Sequence, residues 1–168
     1  NNLLYDVSEI AIPLDSVDDQ ELAFPHHWDM DYIRNYMLTI GPVSSVFDLL
    51  TFYLLLHFFG EVPTKFHTGW FIESMATQVL VIFVIRTRGK PWHSRPNYWL
   101  TLTSFCTVAV AAILPLTPIA SYLGFVPLPW SFYGWVILLV IAYLLVVQWM
   151  KQWFYRRFTS SSTLALRG

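Results

Sequence analysis

Oxygen-bearing side chains lie along one side of the apolar segment that opens the sequence. Asn2, Asp6 and Glu9 follow one another at spacings of four and three residues, which places them on one face if the segment is helical. The carboxamide and carboxylate oxygens of Asn2 and Asp6 are the hard ligands that Mg²⁺ and Ca²⁺ prefer. The spacing indicates a metal site at Asn2 and Asp6 with Glu9 as candidate polar support, or else a polar seam that pairs with neighbouring helices.

Two further acidic residues, Asp48 and Glu73, accompany apolar stretches. An ionised carboxylate in the hydrocarbon layer is costly unless it faces protein or water. Asp48, near the middle of its stretch, is therefore expected to point into a helical bundle and to form a polar stripe with Ser44 and Thr51. Glu73 is a candidate counter-ion or proton carrier, with a hydrogen-bonded structural carboxylate near the helix entrance as the alternative.

His57 and Glu73 are expected to lie at the same depth in a membrane. His57 comes shortly before the end of one apolar stretch, and Glu73 comes shortly after the start of the next. If the two helices are neighbours, an imidazole facing a carboxylate would favour a charged pair. The alternative is that each side chain bonds separately to backbone or water.

The composition is that of a membrane protein, with 55% hydrophobic and 12% charged residues, whereas charged residues make up about a quarter of an average soluble domain. Four apolar stretches are long enough to cross a hydrocarbon core of about 30 Å; they occupy residues 37–59, 69–86, 97–116 and 132–151. We therefore predict an all-α fold, a polytopic membrane helical bundle.

The remaining segments connect or flank these four crossings. Residues 1–14 are predicted to be a partial transmembrane helix that carries the ion-site motif, and residues 15–36 an acidic cytoplasmic loop. Residues 152–168 form a cytoplasmic tail with a Ser/Thr-rich, loosely ordered stretch. Because the sequence starts within a helix and without Met, it is expected to be part of a longer protein. Gly41 and Ser45 form a small-x-x-x-small pair that predicts close helix approach.

The charged residues set an orientation and exclude some classes of function. A net charge of −1 without a clustered basic face argues against nucleic acid as a partner. The single cysteine, Cys106, excludes a disulfide framework and a cysteine-based metal site. Lys65 stands alone on one side of the predicted bundle, and by the positive-inside rule the other side is cytoplasmic. That side carries Arg34, Arg86, Arg88, Lys90, Arg95, Lys151, Arg156, Arg157 and Arg167.

Several motifs, in order along the chain, resemble one family. The segment NLLYD at residues 2–6 is similar to the Asn-x-x-x-Asp motif in the sixth transmembrane helix of P-type cation ATPases. The run that continues to Asp18 resembles the magnesium-transporting branch. GPVSSVFD at residues 41–48, and GWF at 69–71 with the later RTR at 86–88, are similar to the seventh and eighth helices of that branch. The resemblance covers about residues 1–158.

This resemblance implies that the parent protein couples ATP hydrolysis to Mg²⁺ transport across the bacterial inner membrane. Asn2 and Asp6 would then coordinate the transported ion, while Asp48 would serve structure on a helix beside the ion pathway. ATP would be bound only by the full-length protein, because the phosphorylation and nucleotide-binding motifs are absent here. The implied partners are the lipid bilayer and the remainder of the same pump, namely its first five helices and its cytoplasmic domains.

The sequence leaves two alternative functions open and disfavours a third. One is a P-type ATPase for another divalent cation, such as Ni²⁺ or Co²⁺. Another is a non-enzymatic membrane scaffold whose intramembrane acids hold helices together. A free-standing secondary transporter is disfavoured, because the sequence shows no inverted repeat that would build a symmetric midplane site.

Overall fold

The computed structural model describes residues 2–10, 12–15, 30–60, 62–87 and 96–165. Every regular element in these ranges is helical. The α-helices are α1 (Asn2–Glu9), α2 (Met30–Phe59), α3 (Pro63–Leu80), α4 (Ile82–Ile85), α5 (Tyr98–Ile113) and α6 (Trp130–Ala165). Short 3-10 turns follow α1 and α5; they are Ile12–Leu14, Leu114–Leu116 and Pro118–Leu123.

Four helical segments are long and apolar enough to cross a membrane: Ile33–Phe59, Pro63–Ile85, Tyr98–Leu116 and Trp130–Arg157. The second combines α3 with α4, which follow each other with a break only at Val81. The predicted fold class, an all-α helical bundle with four membrane crossings, is confirmed.

The helices extend beyond the predicted crossings. α2 begins at Met30, inside the stretch 15–36 that was predicted to be a loop. α3 begins at Pro63 rather than near residue 69. Proline suits the first position of a helix, because the backbone N–H that it lacks would have no partner within the helix there. α6 continues to Ala165, through the segment predicted to be a loosely ordered tail. Hydropathy marks where a helix leaves the hydrocarbon layer, whereas backbone hydrogen bonds continue the helix into water.

α3 lies at the centre of the bundle and packs against α1, α2, α5 and α6. Its buried apolar residues form the main core together with residues of α2 and α6. Its hydroxyl side chains bond to the helix's own backbone: Thr68 donates to the carbonyl of Thr64 at 2.8 Å, and Thr77 to that of Glu73 at 3.0 Å. Such internal bonds let polar residues occupy a buried helix without other partners.

Gly69 permits the closest approach of α3 to its neighbours. A Cβ placed at Gly69 would clash with the Leu55 side chain of α2 and lie 2.9 Å from the Phe132 ring of α6. By contrast, Gly41 is exposed, and nothing lies within 4 Å of a Cβ placed there. The close approach predicted for Gly41 and Ser45 is therefore not made in the described part of the chain, and the packing glycine is Gly69.

We expect Gly69→Ala to destabilise the protein by about 1–3 kcal/mol, because overpacking a filled core forces side chains off their preferred positions. The measurement is the thermal unfolding midpoint, Tm, of the detergent-solubilised protein. Gly134→Ala is the matched control, since it makes the same change in a helix where a Cβ meets nothing within 4 Å. Its Tm should stay the same or rise, given the better helix propensity of alanine. Equal shifts for the two variants would contradict the close packing at Gly69.

Candidate cation site and intramembrane cavity

A cavity of about 220 Å³ lies where α1, α2, α3 and α6 meet. Apolar residues form much of its wall, and its polar lining includes Tyr5, Ser44, Asp48, Glu73, Thr77 and Tyr143. At a share of about 30 Å³ for each molecule of liquid water, the cavity has room for several waters. Two carboxylates from adjacent helices thus line one polar space within the membrane-crossing part of the bundle.

Glu73 is the most deeply buried acid in the described part of the chain. Its side chain is 1% exposed, and neither carboxylate oxygen has a hydrogen-bond partner there. The neighbouring hydroxyls are used elsewhere, since Thr51 donates to the carbonyl of Phe47 at 2.9 Å and Thr77 donates to backbone carbonyls of α3. An ionised carboxylate in this position is strongly disfavoured without a partner. The site therefore calls for a proton, a cation or water.

Asp48 lines the same cavity but is exposed at its rim. The hydrogen-bonded stripe that was predicted for it is not formed. Ser44 instead bonds to the hydroxyl of Tyr143 on α6 at 2.9 Å, and Thr51 bonds to its own helix backbone. The prediction counted only residues on the same helix, whereas Ser44 finds its partner across the interface between α2 and α6.

The Asp6 carboxylate of α1 lies outside this cavity. Asp6 is exposed and does not line the cavity, whereas the adjacent Tyr5 does. Glu9 is half-buried at the end of α1. Asn2 begins α1, and its side chain lies outside the described part. Consecutive helical residues are about 100° apart, which is why Tyr5 and Asp6 face different surroundings.

Three of the predicted polar residues can be located relative to the cavity. Asp48 and Glu73 share a cavity, while Asp6 lies on another surface. No group of three or more His, Cys, Asp or Glu residues that could hold a metal ion occurs in the described ranges. The assignment of Asn2 and Asp6 as metal ligands stays a prediction.

The predicted pair of His57 and Glu73 is wrong. The His57 side chain is exposed and its ring stacks on Tyr53, with the ring centres 6.3 Å apart, while the Glu73 carboxylate is buried beside Asp48 and Thr51. α2 and α3 are indeed neighbours. However, His57 comes nine residues after Asp48, which places it on the opposite side of α2.

Sequence reasoning missed two charged contacts at one end of the bundle, which we call the Asp15 end. Asp15 forms a salt bridge with Arg86, with 2.6 Å between Oδ2 and Nε. The ammonium group of Lys151 is fully buried and donates to the carbonyls of Val84 and Thr87 at 2.7 and 2.8 Å. Asp15 had been counted among loop acids and Lys151 among cytoplasmic cations, because sequence alone does not show which charges are buried.

Four membrane-spanning helices and a polar cavity lined by carboxylates define a multi-pass membrane protein with a polar interior of the kind found in ion-transport proteins. A family model described as the C-terminus of cation-transporting ATPases matches residues 1–153. The chain belongs to this family of cation-transporting ATPase C-terminal regions.

Curated relatives carry the same resemblance. The chain is 37% identical over 162 residues to a protein named "Magnesium-transporting ATPase, P-type 1" from Salmonella typhimurium strain LT2, with 94% of the chain and 18% of the relative covered. A protein of the same name from Escherichia coli K12 is 37% identical over the same length and coverage. The chain thus spans about a fifth of the length of these relatives.

Proposed function

We propose that this chain is the C-terminal membrane region of an ATP-driven Mg²⁺ transporter of the P-type class. The observation that carries the proposal is the 37% identity that extends over 94% of the chain to relatives named as magnesium-transporting ATPases. ATP binding and phosphoryl transfer belong to the rest of the pump. That remainder, with its five earlier helices and its cytoplasmic domains, is the partner of this chain, together with the lipid bilayer.

Asn2 and Asp6 are the proposed ligands of the transported ion. One amide and one carboxylate provide few protein ligands, which suits Mg²⁺ because this ion dehydrates reluctantly and keeps several waters. Tyr5 lies between them in the sequence, and its bulky phenol side chain stands where a small hydroxyl side chain could have served as a further ligand. The exposed position of Asp6 leaves its carboxylate accessible to ligands from other parts of the pump. Glu9 is proposed as polar support one turn further along α1.

The cavity beside α1 is proposed to be part of the ion path. Glu73 supplies a carboxylate to a space with room for several waters. A hydrated cation there would provide the partner that a buried carboxylate lacks. Asp48 at the rim is proposed to support this polar lining without binding the ion. Tyr5 joins the two regions, because it belongs to the proposed ion-site motif and also lines the cavity.

We further propose a location in the bacterial inner membrane with the C-terminus on the cytoplasmic side. The distribution of cations supports this orientation. Arg86 and Lys151 lie at the Asp15 end of the bundle, whereas Lys65 follows the opposite end of α2. The Asp15 end is then the cytoplasmic one.

The test is ATP hydrolysis by the full-length pump in proteoliposomes, with MgATP held constant outside and free Mg²⁺ varied in the lumen. We propose that Mg²⁺ moves toward the cytoplasmic side, so pumps with their nucleotide domains outward should hydrolyse ATP faster as lumenal Mg²⁺ rises. Ni²⁺ and Co²⁺ in the lumen, assayed in parallel, identify a pump for another divalent cation. ATPase activity that does not respond to any lumenal divalent cation would contradict the proposal and favour the scaffold.

A further inference from the structure

One carboxylate joins three distant segments at the Asp15 end of the bundle. Asp15 accepts hydrogen bonds from Nε of Arg86 at 2.6 Å and from Nη2 of Arg86 at 3.2 Å. It also accepts one from the backbone N–H of Asn97 at 2.8 Å. The side chains of Arg86 and Asp15 are only 8% and 13% exposed. Two-pronged arginine–carboxylate pairs of this kind are geometrically specific, and water screens them less than it screens exposed ion pairs.

The three segments are the exit of α1, the end of the second crossing and the start of the third. Asp15 directly follows the 3-10 turn Ile12–Leu14 that succeeds α1. Arg86 directly follows α4, and Asn97 caps α5 by accepting a hydrogen bond from the N–H of Trp99 at 2.9 Å. α1 itself packs against α3 and α5, and Asp15 adds a charged tie to the bundle directly after the 3-10 turn that follows it.

The end of α4 is itself held in place from the other side. The Lys151 ammonium of α6 donates to the carbonyls of Val84 and Thr87, which flank Arg86. Because the ammonium is fully buried, releasing it would leave charge and carbonyl groups without partners. Asp15 is thus attached to a point that α6 already fixes.

Nine residues of sequence separate Asp15 from the proposed ion ligand Asp6, and backbone hydrogen bonds occur at both ends of this separation. The N–H of Ile10 bonds to the carbonyl of Asp6 at 3.2 Å, and the N–H of Asp15 bonds to that of Ile12 at 3.0 Å. A side-chain hydrogen bond between α1 and α5, from the Thr103 hydroxyl to the Ser8 carbonyl, is longer than the Asp15 contacts, at 3.4 Å. We expect a shift of Asp15 to displace α1 and with it Asp6, and binding sites depend on supporting contacts that hold ligands within about 0.5 Å.

We propose that Asp15 is a positioning residue for the cation site: its pair with Arg86 fixes α1 along its axis, so that the pair controls Mg²⁺ affinity from the cytoplasmic end. Asp15 does not touch the ion in this proposal. The inference rests on the proposed transport function, and its test is arranged so that the two can fail separately.

The experiment uses the full-length pump in the proteoliposome assay with lumenal Mg²⁺ varied. Asp15→Asn keeps the size of the side chain and an acceptor for Asn97, but it removes the charge that Arg86 binds. We expect the Mg²⁺ concentration for half-maximal ATPase to rise about tenfold, with the maximal rate changed by less than about twofold. Arg86→Lys, which loses the two-pronged geometry, should give a smaller rise.

The double variant Asp15→Arg with Arg86→Asp restores a charge pair of opposite polarity. We expect its Mg²⁺ affinity to be higher than that of Asp15→Arg alone or Arg86→Asp alone. A general loss of stability would not produce this recovery. Lys65→Gln removes a charge at the opposite end and should leave half-maximal Mg²⁺ unchanged. Thermal unfolding midpoints of all variants identify any that fold poorly.

Three results would overturn the positioning role. One is an unchanged half-maximal Mg²⁺ concentration in Asp15→Asn. Another is a set of variants in which the maximal ATPase rate falls in proportion to Tm while the half-maximal Mg²⁺ concentration stays the same. The third is a double variant no better than its parents in a folded protein. If the unmodified pump itself shows no response to lumenal Mg²⁺, the proposed function fails. The Tm values of the two single charge reversals and the double variant then still measure the interaction between Asp15 and Arg86.

Discussion

The Asp6→Asn variant of the full-length pump is expected to lose Mg²⁺-stimulated ATPase activity while it is still produced and folded. The amide has the size of the carboxylate but no negative charge, and a divalent cation held by few protein ligands depends on that charge. Losing one of two protein ligands should weaken Mg²⁺ binding at least about tenfold, which corresponds to about 1.4 kcal/mol. Folding should be preserved, because the Asp6 side chain is exposed in the described chain.

The measurement is the dependence of ATPase rate on lumenal Mg²⁺, with protein amount and Tm recorded for each variant. Val7→Ala is the control on the neighbouring surface of α1, where Val7 is 43% exposed, and it should respond to Mg²⁺ as the unmodified pump does. Glu9→Gln, tested alongside, reports whether Glu9 ligates the ion or only supports the site. Transport by Asp6→Asn at normal apparent affinity would show that Asp6 is not a ligand.

Glu73→Gln is expected to change activity and stability in opposite directions. Removing the negative charge should lower Mg²⁺-stimulated turnover by about 10–100-fold, because the cavity loses its buried anion. The same change should raise Tm, since a buried carboxylate without hydrogen-bond partners disfavours the folded state. Raised stability with lost function is the pattern expected of a functional group held in an unfavourable environment.

Asp48→Asn is the matched control for Glu73, because Asp48 lines the same cavity but is exposed at its rim. It should retain most of the activity, with little change in Tm. If Glu73→Gln kept full turnover, the cavity would lie outside the ion path. If instead Asp48→Asn lost all turnover in a folded protein, the ion path would include Asp48, and the expectation that it serves structure would be wrong.

The membrane crossings were predictable because they depend on local composition. A stretch of apolar residues long enough to span the hydrocarbon layer is recognisable without knowledge of its neighbours. All four predicted stretches lie in helices that are long and apolar enough to cross a membrane. The ends of the helices were less predictable. α2 and α6 extend beyond the apolar stretches, because helical hydrogen bonds do not require an apolar side chain.

The candidate site was only partly predictable. Helical periodicity indicates which residues share a face of one helix, as for Asn2 and Asp6, but it does not show what that face meets. Glu73 was recognised as an acid of the second crossing, while its burial beside Asp48 depends on how α2 and α3 are rotated against each other. The expected partner, His57, was chosen by depth alone and lies on the wrong side of α2.

By itself, the sequence determined that this is a helical membrane protein with four crossings, which side carries most of the cations, and which acids accompany apolar segments. Only the tertiary structure decided that α3 is central, that Gly69 is the packing glycine, and that Asp15 binds Arg86 across 71 residues of sequence. The physical reason is that hydropathy and periodicity are properties of a single segment. The partners of a buried charge or a close-packed glycine depend on the packing of all the helices together.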